Sequence, residues 1–149
     1  MKSMSKMKLA ILLAATIVVG ATSAATAAQY YRQYYSRGWS YHPTRHYHYR
    51  RYYYKPYRSY TGYRHHYCVY YKARPRYVYY YNPYRRVYWG RYDLESQGYS
   101  HLKKEDQSGD LDSIKESAFP KAGPMPSVPE VKEGDNVTIT PPPVDDLPK

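Results

Sequence analysis

The chain has 149 residues and a formal net charge of +11, and it carries 24 tyrosines against one phenylalanine and two tryptophans. Residues 29–92 hold 12 arginines and two lysines, but no acidic residue and no Leu, Ile, Met or Phe. A stretch without these side chains does not build an ordinary apolar core. We therefore predict that the chain has no large globular core and is not an enzyme.

Residues 1–28 have the three parts of a secretory signal peptide. Three lysines precede an apolar run over residues 9–19, and small residues follow up to Ala28. This pattern predicts export with cleavage near Ala27 or Ala28, and thus a secreted or cell-envelope protein. The alternative is an uncleaved membrane anchor, because the uncharged stretch before Arg32 is long enough to cross a bilayer. Contact with a membrane is expected only in that case.

Residues 29–66 form a low-complexity segment rich in Tyr, Arg and His. Apolar side chains do not recur at helical spacing, and Pro43 and Pro56 interrupt any long element. Since nothing aliphatic is present to cover a sheet, we predict that this segment is disordered, or extended with transient structure.

Arginine and tyrosine together make many weak contacts, and each exposed guanidinium over a phenol ring contributes roughly 0.5–1 kcal/mol. Segment 29–66 is therefore expected to bind anionic polymers, namely polysaccharide, extracellular nucleic acid or acidic protein, or to self-associate. This predicts a protein associated with the envelope or the extracellular matrix. The densest contact patch is predicted at Arg50, Arg51, Tyr52, Tyr53, Tyr54, Arg58 and Arg64.

Residues 67–102 are predicted to fold as a small antiparallel β-meander. Residues 76–81 and 86–92 have strand character, and Asn82 begins the turn between them. Simple alternation places Trp89 and Arg91 on the same face of the second strand. The fold class is thus a small all-β segment in a mostly disordered chain.

Residues 103–149 form an acidic tail with eight prolines in the last 30 residues. A single short helix is predicted near residues 112–119, because Ser113 and Glu116 stand at capping-box spacing. The rest is expected to be extended and solvated. The opposite charges of tail and basic segment predict attraction, within a chain or between chains. We expect removal of the tail to leave polymer binding intact or stronger.

Two families resemble parts of this sequence. The run over residues 79–83 followed by Trp89 resembles the second and third strands of a WW domain, over about 20 residues. That resemblance implies a small peptide-binding module in which Tyr80 and Trp89 receive a Pro-rich segment, with the chain's own tail among the candidates. The C-terminal half, with YNPYRRVYWGRYD, GYS, ESAFP, GPMP and PPPVDDLP, resembles small secreted bacterial proteins of unknown function. It implies export and a folded C-terminal part.

Two histidine clusters make copper or zinc binding an alternative function. No closed four-ligand spacing accompanies them, so the simpler interpretation is that His belongs to the aromatic, basic composition, and we predict no cofactor. The candidate ligands are His42, His46, His48, His65, His66 and Cys68.

Cys68 is the only cysteine, which leaves an intermolecular disulfide or a strand residue facing the sheet. A catalytic role is disfavoured, because the basic half has no acid to orient a neighbouring histidine.

Overall fold

The structure is a computed structural model, and it describes residues 32–132 and 134–149. All of these residues lie in one unit, Arg32–Lys149. The predicted signal peptide, its cleavage site and the alternative anchor lie outside the described residues. Within the described part, no helix has the length and apolar character needed to cross a membrane.

A single antiparallel sheet of seven strands accounts for most of the fold. The strand order is β1-β3-β4-β5-β6-β7, and β2 pairs with β3 beside β1. Consecutive strands pair from β3 onwards, so the topology is a curled meander. The strands are β1 (Gln33–Tyr35), β2 (Ser40–His42), β3 (Tyr47–Tyr54), β4 (Arg64–Tyr70), β5 (Tyr77–Asn82), β6 (Val87–Asp93) and β7 (Gly98–His101).

The antiparallel strands predicted within residues 67–102 are confirmed as β5, β6 and β7, but the sheet is not confined to that segment. β5 and β6 pair around the predicted turn. There the Asn82 side chain accepts hydrogen bonds from the backbone N–H groups of Tyr84, at 2.9 Å, and Arg85, at 3.2 Å. β4 spans the boundary that the sequence placed between residues 66 and 67.

A β-bulge between β5 and β6 reverses the direction of one side chain. Tyr80 pairs with Gly90, and the register then shifts so that Trp89 becomes the extra residue of β6. Trp89 therefore packs in the same cluster as Tyr80. Arg91 lies on the opposite face, with its guanidinium carbon 3.9 Å from the ring centroid of Phe119. The predicted sharing of one face by Trp89 and Arg91 is wrong.

Residues 33–66, predicted to be disordered, form three strands and the start of a fourth, so that prediction is wrong for this stretch. Tyrosine replaces the missing aliphatic side chains, because its ring buries a large apolar area and its hydroxyl needs only a partner. Tyr52 and Tyr54 are completely buried. The Tyr52 hydroxyl donates to the side-chain oxygen of Gln33 at 2.6 Å, and the Tyr54 hydroxyl lies 3.2 Å from Nε2 of His66.

Each face of the sheet carries its own aromatic cluster, so the predicted lack of a core gives way to a core built from phenol rings. We call the face of Tyr52 the inner face and the face of Tyr79 the outer face. The buried inner cluster contains Tyr52, Tyr54, Cys68, Tyr70, Val78, Tyr80, Trp89, Tyr92, Tyr99, Val128 and Ile139. The buried outer cluster contains Val69, Tyr79, Tyr88 and Leu111.

The tail was predicted to be extended and solvated, and that prediction is also wrong, because its second half, from Pro126 onwards, packs against the inner face. Val128 and Ile139 are each 1% exposed and belong to the inner cluster. Two backbone hydrogen bonds hold this part of the tail together. The N–H of Val128 donates to the carbonyl of Val137 at 2.7 Å, and the N–H of Ile139 donates to that of Pro126 at 2.8 Å.

The single helix predicted over residues 112–119 is replaced by short 3₁₀ turns. They are Lys104–Asp106, Leu111–Ser113 and Glu116–Ala118. The Asp110 side chain caps the second turn by accepting from the backbone N–H of Asp112 at 3.1 Å. Glu116 does not complete a capping box, because its carboxylate pairs with the guanidinium of Arg91.

Ion pairs join the basic strands to the acidic tail within one chain. Arg32 is 2% exposed, and its Nη1 donates to Asp135 at 2.6 Å while its Nε donates to the carbonyl of Lys55 at 3.1 Å. Arg50 is 5% exposed and donates to Asp146 at 3.1 Å. At these sites, the attraction predicted between the basic segment and the acidic tail therefore takes the form of ion pairs within one chain.

The buried imidazole of His66 makes the stability of the fold depend on pH. Burial, with the neighbouring charges of Arg64 and His65, lowers the pKa of His66 to about 3. In the unfolded chain, the pKa of a histidine is about 6.5, as in model peptides. Between these two values the unfolded chain binds a proton that the folded chain does not. Stability therefore falls as the pH drops from about 6.5 towards 3.

Replacing His66 by Gln is expected to flatten this pH dependence. The wild-type free energy of unfolding should fall between pH 7 and pH 4 by about 3 kcal/mol more than that of the variant. Urea unfolding at the two pH values measures the difference. His46→Gln, at an exposed position, is the control and should keep the wild-type slope. Equal slopes in wild type and His66→Gln would contradict the prediction.

Candidate functional site

Strand alternation divides the predicted contact patch between the two faces of β3. Tyr52 and Tyr54 point into the inner cluster, and so they are not available to a polymer. Arg50 is held on the same side, where its Nε and Nη2 donate to the carbonyl of Ser36 at 3.0 and 2.6 Å. Arg51 and Tyr53 alternate with these residues along β3 and lie on the outer side.

The remaining two arginines of the predicted patch have different surroundings. Arg64 forms an ion pair with Glu130, and its guanidinium carbon lies 4.2 Å from the ring centroid of Tyr84. Arg58 lies in the loop between β3 and β4 and is exposed. The structure therefore does not bring the seven predicted residues together as one surface.

The outer face carries a row of rings on β1, β3, β4 and the residue that follows β4, which we call the aromatic stripe. Successive ring centroids lie between 4.8 and 6.2 Å apart, within the range of favourable ring pairs. Tyr34 is 39% exposed at one end of it. In order, the stripe consists of Tyr34, Tyr53, His65, Tyr67, Tyr49, Tyr47 and Tyr71.

The other end of the outer face is covered by the segment that contains the 3₁₀ turns. Leu111 is 6% exposed and belongs to the outer cluster with Tyr79. Phe119 packs against Tyr79 with 6.2 Å between ring centroids. Arg91 donates to Glu116 on the same side. The segment therefore covers the β5–β6 part of the outer face and caps the end of its aromatic surface.

Two exposed arginines stand beside the aromatic stripe. Among the described residues, ion pairs engage Arg32, Arg50, Arg64, Arg74, Arg76 and Arg91. Arg45 and Arg51 are outside this set and are exposed. The guanidinium carbon of Arg51 lies 5.7 Å from the ring centroid of Tyr67. Burial raises the pKa of the Tyr47 phenol, and the nearby Arg45 guanidinium opposes that rise.

A cavity of about 210 Å³ opens within the stripe. Its position was not predicted, because it depends on the pairing of β2 with β3 and of β3 with β4. One signal was present in the sequence, since every second residue of residues 47–53 is Tyr or Arg. The cavity is lined by His42, Tyr47, Tyr49, Tyr67, Val69 and Tyr81.

The proposed metal ligands do not converge. His65 contacts Tyr53 on the outer face, whereas His66 and Cys68 lie on the inner face. His42 lines the outer cavity and pairs with Tyr47 of β3. His48 follows Tyr47 along β3, so strand alternation directs its side chain to the opposite face. His46, in the β2–β3 turn, is exposed, with Nδ1 3.1 Å from the Tyr41 hydroxyl. Within residues 32–132 and 134–149, no three His, Cys, Asp or Glu side chains group closely enough to hold a metal ion.

Cys68 and the predicted peptide groove both belong to the interior. Cys68 is completely buried, and burial raises the pKa of its thiol. This position fits a strand residue facing the sheet and does not fit a bridge to another chain. Tyr80 is also completely buried, and Trp89 is 7% exposed. The Tyr80 hydroxyl lies 2.7 Å from that of Tyr35, which donates to the carbonyl of Thr140 in the tail.

Within the part of the chain that the structure describes, the stripe with Arg45 and Arg51 is an accessible surface that combines rings and cations. No protein family, curated protein or solved structure matches the chain.

Proposed function

We propose that this chain is an exported, non-enzymatic protein that binds anionic polymers at its outer face. The observation that carries the proposal is the aromatic stripe, with Arg45 and Arg51 beside it and outside the ion pairs of the described residues. Export is supported by the signal-peptide pattern of residues 1–28. The ligand is expected outside the cell or in its envelope.

Charge and rings contribute to such binding in different ways. A cation that neutralises a polymer charge releases a condensed counterion, which makes affinity strongly dependent on salt. Aromatic side chains add contacts that do not depend on salt. These contacts also tolerate different orders of monomers along the polymer. Residues 29–92 contain no carboxylate, so the strands that carry the stripe have no acidic side chain to repel a polyanion.

Binding of polygalacturonate is expected to weaken by at least about tenfold between about 50 and 200 mM salt. Replacing both Arg45 and Arg51 by Gln should lower the slope of log affinity against log salt by about 2, because two cations no longer release counterions. Isothermal titration calorimetry at several salt concentrations measures both the loss of affinity and the slope of log affinity against log salt.

The matched control is Arg85→Gln with Arg86→Gln, which removes the same charge from the exposed turn between β5 and β6. This control should change the slope less than the stripe variant does. Equal losses in the two double variants would indicate attraction to net charge alone. A flat salt profile in the wild type would remove the proposed function altogether.

A further inference from the structure

The cavity in the aromatic stripe has walls that meet at steep angles. The rings of Tyr47 and Tyr49 are inclined by 87°, and those of Tyr49 and Tyr67 by 79°. Val69, which is 2% exposed, also lines the cavity. The result is a hollow between ring faces and ring edges, in contrast to a slot between two parallel rings.

The size of the cavity suits a single ring. Pockets for drug-sized ligands have volumes of about 300–1,000 Å³, and this one has about 210 Å³. A flat nucleobase stacks best on an open ring face that lies parallel to it. A puckered sugar ring instead presents C–H groups to inclined ring faces and hydroxyls to phenol oxygens. The walls therefore favour a sugar over a base.

Polar and charged groups surround the cavity in a pattern that suits an acidic sugar. The imidazole of His42 and the phenol groups of the walls supply partners for hydroxyls. Arg45 stands beside Tyr47, and Arg51 stands beside Tyr67, so each of these two walls has a neighbouring guanidinium. A carboxylate on the sugar, or on the next sugar along a chain, meets a cation next to either wall.

We infer that the cavity lined by His42, Tyr47, Tyr49 and Tyr67 is a subsite for one uronic acid unit of an acidic polysaccharide. This inference rests on the proposed function and names the class of polymer that the outer face binds. The stripe on either side of the cavity then contacts the neighbouring sugars, and Arg45 and Arg51 bind their carboxylates.

The test compares short ligands on the purified full-length protein at fixed, low salt. A hexamer of galacturonic acid is expected to bind, and a hexamer of galactose is expected to bind at least about tenfold more weakly. Tyr67→Leu, which removes one wall, should weaken binding of the acidic hexamer by about tenfold. Tyr84→Leu, which removes a ring that is 49% exposed and does not line the cavity, should change it less than about twofold.

A measurement on the wild type keeps the test decisive if Tyr67→Leu fails to fold. The ring resonances of Tyr49 and Tyr67 should shift on addition of the galacturonic acid hexamer, and those of Tyr57, in the β3–β4 loop, should not. Equal affinity for the acidic and neutral hexamers would overturn the inference. A single-stranded oligonucleotide of equal charge gives a second decisive comparison. If Tyr67→Leu weakens its binding more than it weakens binding of the acidic hexamer, the inference is also overturned.

The two proposals fail in different ways. If polygalacturonate binds with a steep salt dependence but the short hexamer shifts no stripe resonance, the sugar subsite is wrong and polyanion binding stands. If neither the polymer nor the hexamer binds at low salt, the proposed function itself is wrong.

Discussion

Removal of residues 126–149 is expected to unfold the sheet. The deletion takes Val128 and Ile139 out of the inner cluster, and each buried aliphatic side chain contributes about 1.5–3 kcal/mol. It also removes Asp135, the ion-pair partner of Arg32, which is 2% exposed. These losses are comparable with the whole stability of a small domain, about 5–15 kcal/mol.

Circular dichroism and amide exchange measure this outcome. The truncated chain should lose slow-exchanging amides in β3 and β4, whereas a control that lacks only Pro148 and Lys149 should keep them. Ile139→Ala is the milder version of the same test and should cost about 2–5 kcal/mol. Its matched control is Thr138→Ala, at an exposed neighbouring position. A truncated chain with the wild-type urea midpoint would show that the sheet folds without its tail.

This result would also reverse the expectation drawn from composition, that removing the tail leaves polymer binding intact or makes it stronger. The surface proposed to bind polymer exists only while β3 and β4 are paired, and the inner face of those strands packs in the cluster that the tail completes. We therefore expect the truncated chain to lose the ring-dependent part of its affinity and to keep only attraction to its net charge.

Gly90→Ala is expected to destabilise the fold by at least about 2 kcal/mol, because it overpacks the inner face. A Cβ at Gly90 would lie 2.1 Å from the hydroxyl oxygen of Tyr99 and 2.6 Å from the carbonyl oxygen of Ser100. Neither neighbour moves freely, since Tyr99 is 3% exposed and the carbonyl belongs to β7. Urea unfolding followed by tryptophan fluorescence reports the change, because Trp89 packs against Tyr99.

Gly123→Ala is the matched control for Gly90→Ala. A Cβ at Gly123 meets nothing within 4 Å. Its midpoint should therefore stay close to that of the wild type. If the two alanine variants unfold at the same urea concentration, the close approach between Gly90 and Tyr99 does not limit packing in the inner face.

The strands that sequence reasoning predicted were those with an ordinary turn between them. Asn82 and Pro83 mark the β5–β6 hairpin, and its strands alternate clearly enough to be recognised. The bulge that redirects Trp89 was not predictable, because it depends on how Tyr80 and Gly90 pair across the strands. Local patterns give strands, whereas a register shift is set by packing between them.

The larger errors came from counting only aliphatic side chains as core. Tyr52 and Tyr54 are as buried as any aliphatic residue of the protein's described part, because their hydroxyls find partners in Gln33 and His66. The same reasoning missed the tail, where Ile139 is isolated in a polar and Pro-rich sequence. Ile139 is buried because it packs in the inner cluster, and that cluster forms only once the tyrosine-rich strands pair.

The sequence indicated the residue types of the candidate site, but not where in the fold they lie. Arg51 and Tyr53 were named from the sequence, and they do lie on the outer side. Tyr49 and Tyr67 were not singled out, because the alternation of β3 becomes informative only once that segment is known to be a strand. Arg50 was included wrongly for the same reason, since it points to the side where Ser36 and Asp146 bind it.

Ile139 and Asp146 come after all seven strands in the chain, and this order governs how the fold closes during biosynthesis. A ribosome synthesises the strands first, so they emerge before the side chains that cover their inner face exist. The inner cluster therefore stays incomplete until Ile139 has been added to the chain, and only then can the aromatic core close.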